Sequence, residues 1–290
     1  MYTDLFKTLL CILLERKIAT MTSPPLARLL DAMSAVYGPL PSSATERWTP
    51  PPKSGGFKGR YLWTDAFGVI NFLTLYKESG DDKYLTCAKT LVQIVHDVQG
   101  RTRDGKSRLP GATDANPLRG GLRIGKENAS GPDGDGQYFH YLSIWMFALN
   151  RLSLATKESS YNDQAISLAK AIHPHFFVNR SSPHPRMVWK IAMDMSKPLV
   201  ASEGNLDPID GYVMFRKLQA SSSNSSILEE EISDYKRIMD RKGKHFVSSD
   251  TLDLGMSLWA AHWLEDKEDW AADLAKRCRS QLSMTDATAQ

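Results

Sequence analysis

The sequence predicts an all-α fold of repeated helical hairpins, and three observations carry that prediction. Strand signals are nearly absent, with no period-2 run of β-branched residues. An internal repeat is present: Tyr84, Ala88, Leu91 and His96 are spaced like Tyr161, Ala165, Leu168 and His173, at offsets of 4, 7 and 12 in both. Each copy also follows a short polar turn and, before it, a more aromatic helical segment. Offsets of 4 and 7 share one helix face. Trp270, Leu274 and Arg277 occupy them a third time, more weakly.

Along the chain, residues 4–19 read as an amphipathic helix. The apolar run at 9–14 is short, follows Asp4 rather than a basic stretch, and precedes Glu15, Arg16 and Lys17 rather than a cleavage site, so it is not expected to be a signal peptide. Residues 1–22 are therefore expected to form an extra N-terminal helix, and the chain is expected to be cytoplasmic. Residues 38–60, rich in Pro, Ser and Gly, form a long connection, and 98–136 form another with many glycines and no apolar period. Four aromatic helices are expected to open at Trp63–Asp65, Gln137–His140, Asp207–Gly211 and Asp253–Gly255. Each opens with Asp, Gly or both, so the aspartates read as N-caps or as site carboxylates. Residues 283–290 read as a disordered tail, and the whole of 1–290 as one domain of about ten helices.

Composition narrows the function. The net charge of +3 gives no case for nucleic acid, and no stretch reaches the roughly 18 apolar residues of a membrane span. Three widely spaced cysteines, Cys11, Cys87 and Cys278, make neither a disulfide framework nor a zinc site and read as buried free thiols. No single hairpin can bury its apolar face alone, so neighbouring hairpins must stack. If the row curves into a ring, the aromatic helices face inward and their N-terminal ends rim a pocket.

Segments 59–85, 100–114, 120–126 and 131–156 resemble the six-hairpin glycosidase-like proteins, and 251–264 looks like a later inner helix of the same kind. The resemblance implies an (α/α) toroid. Six full hairpins usually need more chain than this, so the ring is expected to be incomplete or closed by another subunit, which makes a homodimer plausible.

Candidate chemistry follows the carboxylates. Asp133-Gly-Asp135 ends the long glycine-rich loop beside Gln137, Tyr138 and His140. Crowded carboxylates push one another's pKa values apart, which suits general acid/base work. Asp65 and Asp207 are candidate partners from other hairpins, with Asp210 close behind. Arg123 and Lys126 could meet an anionic group. Trp63, Trp189 and Lys190 complete the expected binding surface. His96 and His173 read as cations at outer-helix ends. No GxSxG elbow, P-loop, dinucleotide fingerprint or HExxH is present, and neither metal nor cofactor is expected. The leading expectation is a carbohydrate-active enzyme using Asp carboxylates on a sugar or uronate. The alternatives are a biosynthetic isomerase or cyclase acting on an apolar metabolite, and a non-catalytic binding or scaffold protein.

Overall fold

The computed structural model describes residues 24–52, 60–131 and 133–288. The segment expected to form an N-terminal helix, including Cys11, lies outside the described residues. Helix α1 spans Pro24–Tyr37. Four hairpins follow: α2 (Leu62–Ser79) with α3 (Asp82–Gln99), α4 (Phe139–Thr156) with α5 (Ser159–Phe176), α6 (Asp207–Ala220) with α7 (Glu229–Lys242), and α8 (Thr251–Ala261) with α9 (Asp269–Thr288). The all-α expectation therefore holds, with nine helices among the described residues. Helix α9 runs into the stretch 283–290 that the sequence suggested was a tail.

Local chemistry sets the turns. Gly80 takes a left-handed φ of 65° after α2, and its N–H returns to Tyr76 O, a common helix stop. Asp81 then caps α3 by accepting from Lys83 N. Pro208 sits in the first turn of α6, where a missing N–H costs nothing.

The helices alternate between inner and outer positions. Inner helices α2, α4, α6 and α8 pack on one another in sequence, and each carries its outer helix behind it. Among the described residues no comparable packing joins α8 back to α2, so the ring stays open there. Helix α4, in the middle of the row, is buried on nearly all sides, from Phe139 through Ser153. The sequence repeat marks the inward faces of the outer helices: Tyr84, Ala88, Leu91 and His96 on α3 are buried, as are Ala165, Leu168 and His173 on α5. Across α4 and its neighbours Asn150 donates to Asn162 and to Ser221, and Asn162 donates to Leu218 O, pinning α4, α5 and α6 together.

The two repeated histidines need a correction. His96 is not a cation serving the helix dipole. Its Nε2 accepts from the Trp145 indole at 3.2 Å, and burial pushes its pKa down to about 4. Burial also lowers the pKa of His173, outweighing the pull of its partner Asp234. Both act as polar members of the core. Cys87 and Cys278 are free and buried, as expected.

Among the described residues, strands form two short ribbons. Gln137–Tyr138 (β1) pairs antiparallel with Lys190–Ile191 (β4), and Phe177–Val178 (β2) with Arg186–Met187 (β3). The long glycine-rich connection before β1 is anchored in the interior by Leu109, Leu118, Leu122 and Ile124. Among the described residues no helix is long and apolar enough to cross a membrane.

Helix α1 reaches the ring through Tyr37, wedged beside Trp48 and Phe72 and bonded through its hydroxyl to Asp65 on α2. That approach requires Gly68, since a Cβ there would fall on the Tyr37 hydroxyl. Gly68→Ala should therefore lower unfolding stability by about 1–3 kcal/mol, read by chemical denaturation. An unchanged midpoint would mean that α1 yields freely.

Candidate active site

The N-terminal ends of the inner helices converge, as the ring predicts, and they carry the aromatic and acidic groups. Trp63 is the second residue of α2, His140 and Tyr141 are the second and third of α4, and Asp207 and Asp210 occupy the first turn of α6. Asp253 lies in the first turn of α8. Trp189 comes from the link between β3 and β4. Its carbonyl accepts from Phe139 N at 3.0 Å, and its indole donates to Ser202 at 2.9 Å.

Rings line the rim. Trp63 lies 4.6 Å from His140 and 5.3 Å from Tyr141, centroid to centroid. Tyr138 lies 4.4 Å from Tyr141 and 5.1 Å from Trp189, and Tyr61 lies 5.5 Å from Tyr141. All are partly buried, so one face or edge of the cluster stays open. Such a surface suits stacking against a flat or apolar ring face.

Beneath the rings lies a dense acid/base group. His140 Nδ1 bonds the Asp210 carboxylate, whose second oxygen is buried without a hydrogen bond. Asp210 is fully buried. Burial pulls the His140 pKa down, but the charge and hydrogen bond of Asp210, with Asp207 and Asp253 behind, outweigh it and leave the pKa raised. Asp207 moves the other way from an ordinary carboxylate. Burial first, then the neighbouring Asp210 charge, raise its pKa to about 7, against the opposing pull of His140 and Lys242. A helix N-terminus should favour the anion, so desolvation is the larger effect here. Gly204 makes this placement possible: a Cβ at that position would overlap the Asp207 carboxylate.

The other expected acids have different duties. Asp65 is fully buried, 3.0 Å from the Arg60 guanidinium, and also accepts from Tyr37. This is a structural ion pair within the hairpin, and we do not place Asp65 in the site. Asp135 accepts from Arg103 and Arg123 and from the backbone N–H groups of Gly125 and Gly136, which ties the long loop to β1. Arg123 is occupied by that carboxylate and by the Arg101 and Val98 carbonyls. Gln137 donates to the carbonyls of Gly120 and Met193 from a fully buried position. Asp133 is exposed and paired with Lys126 at 2.7 Å, and Lys126 lies over Tyr61. Lys190 donates to Gly134 O.

Of the expected residues, Trp63, Tyr138, His140, Trp189, Asp207 and Asp210 therefore come together. Tyr61, Tyr141, Gly204 and Asp253 join them. Their signal was weak, since each is one residue at the edge of a helix or loop. A cleft of about 850 Å³ opens elsewhere, between residues 102–110 and 192–199. Its carboxylates are paired, turn-bound or exposed, whereas the rim concentrates buried acid and base and is the candidate site. Among the described residues no group of three His, Cys, Asp or Glu side chains is arranged to hold a metal ion.

No protein-family model matches the chain, and no curated protein matches it. Among solved structures it is similar to cellobiose 2-epimerase from Bacillus thermoamylovorans B4167, with a TM-score of 0.53 and 11% identity. The match covers 77% of this chain and 61% of that one, so this chain spans less than two thirds of its neighbour. At that identity the likeness shows the fold alone: the chain is an (α/α) toroid of helical hairpins.

Two predictions separate the structural carboxylate from the site carboxylate. Asp65→Asn leaves Arg60 buried without its counter-charge and should cost about 3–5 kcal/mol, read by denaturant titration. The raised folded pKa of Asp207, about 7 against 3.8 for the free group, means that the folded state holds its proton more tightly. Its contribution to stability is then complete below 3.8 and is lost as pH rises through about 7. Asp207→Asn should flatten this part of the stability–pH curve; a wild-type curve that rises over the same interval would refute the assignment.

Proposed function

We propose that the chain is a carbohydrate-active enzyme that transfers protons at a sugar held against the aromatic rim. The observation that carries this reading is the buried His140–Asp210 pair beside a carboxyl group, Asp207, whose pKa lies near neutrality. Asp210 holds the Nδ1 side of the imidazole, leaving Nε2 to take a proton, and its charge stabilises the imidazolium that forms. Asp207 carries a proton for part of the time at neutral pH and supplies the acid. Trp63, Tyr138, Tyr141 and Trp189 hold the sugar by its apolar face.

Two reaction types fit this pair. Glycosidic cleavage needs an acid on the leaving oxygen and a second group across the ring. Epimerisation, the activity in the name of the solved neighbour, needs one group to remove a proton from carbon and another to return it. A neutral sugar suits the rim better than a uronate, because Lys126 and Lys190 are already engaged with Asp133 and Gly134 O. The aromatic wall also supports a second reading, isomerisation of an apolar metabolite by the same two groups.

The test is a panel of neutral sugars, uronates and apolar metabolites incubated in heavy water. NMR then reports both bond cleavage and deuterium uptake at carbon. Turnover of a neutral sugar is expected, falling about 10²–10⁴-fold in His140→Gln and in Asp207→Asn. Its kcat/KM should follow a narrow bell near neutral pH, rising as His140 loses its proton and falling as Asp207 loses its own. Turnover confined to apolar metabolites would move the assignment to the second reading. Turnover that survives both substitutions would remove these residues from the mechanism.

A further inference from the structure

At the opposite ends of the same inner helices the charge reverses. Phe147 and Arg151 lie one turn apart on α4, Lys217 lies near the end of α6, and Trp259 and Trp263 lie on α8 and just beyond it. The Phe147 ring meets Trp259 edge-on at 5.0 Å and Trp263 at 5.7 Å. The Arg151 guanidinium lies 5.0 Å from the Phe147 centroid and 5.6 Å from that of Trp263. The Lys217 ammonium lies 3.6 Å from the same Trp263 centroid. Two cations thus share one indole.

Neither has an acidic counter-ion among the described residues. Arg151 donates Nε and Nη2 to the neutral Asn150 amide oxygen. Lys217 meets the Trp263 ring that it shares with Arg151. The adjacent Arg216 differs, since it pairs with Glu268. Burial, followed by the charges of Arg151, Lys267 and Arg216, lowers the Lys217 pKa. Ring faces attract cations, and the carbonyl ends of α4 and α6 add partial negative charge. Both effects leave the two full charges repelling each other. The Trp263 indole N–H is also buried without a hydrogen bond, a donor left over in the same side chain.

We propose that Arg151, Lys217 and Trp263 form a binding site for a doubly charged oxyanion of the phosphate type, separate from the aromatic rim. A dianion matches two adjacent cations where a single carboxylate would leave one charge over. The Nη1 end of Arg151, which Asn150 does not engage, offers directed donors, and Lys217 offers a mobile point charge.

Calorimetric titration of the whole chain with inorganic phosphate near pH 8, against acetate at matched ionic strength, tests the site. Saturable phosphate binding is expected, with acetate much weaker. Arg151→Gln and Lys217→Gln should each weaken phosphate binding about tenfold, while Lys106→Gln, an exposed change elsewhere, should leave it unchanged. Circular dichroism checks the fold of each variant; if Arg151→Gln does not fold, Lys217→Gln decides. Absence of saturable phosphate binding, equal binding of acetate, or undiminished binding in folded Lys217→Gln would overturn the site.

Discussion

No hairpin of this chain can bury both sides of its inner helix, so each must be covered by the next. That constraint shapes the molecule. Helix α4 is buried nearly all round because α2 and α6 flank it and α5 lies behind it. Stacking the inner helices in one direction brings their N-terminal ends together at one rim and their C-terminal ends at the other. The rim gathers Trp63, His140, Asp207, Asp210 and Asp253 from four helices that are distant in sequence. The far end gathers Arg151, Lys217 and Trp263.

Convergence and burial together set the electrostatics of the rim. A carboxylate at a helix N-terminus is ordinarily held ionised by free N–H groups and the dipole. Here Asp207 and Asp210 are both buried and lie one turn apart, and low polarity strengthens their mutual repulsion. Asp210 is balanced by His140, while Asp207 retains its proton toward neutrality. One helical turn thus separates two carboxyls in different surroundings, the arrangement that the proposed proton transfer draws on.

The fold was legible from two sequence signals: the outer-helix repeat and the aromatic openings of the inner helices. The repeat offsets correspond to core faces that the structure buries, down to Leu91 and Leu168. The candidate site was legible in part. Trp63, Tyr138, His140, Asp207 and Asp210 were readable because each sits at a helix start on a predicted inner helix. Asp65 and Asp135 have the same local appearance but opposite fates. What separates them is Arg60 for the first and Arg103 with Arg123 for the second. Arg103 lies 32 residues from Asp135, in a loop without periodicity, so sequence spacing carries no sign of the pairing. The role of Asp210 as partner of His140 was equally hidden, since 70 residues separate them.

The proposed proton transfer requires His140 to be governed by Asp210 and Asp207, and the most direct measurement is the pH titration of its imidazole by nitrogen-15 NMR. In the wild-type chain the His140 pKa should lie above the ordinary histidine value. In Asp210→Asn it should fall, because the largest charge and the hydrogen bond that oppose burial are then gone and only the more distant pull of Asp207 and Asp253 remains. A His140 that titrates at the ordinary value, unmoved by Asp210→Asn, would contradict the proton-transfer centre proposed at the rim.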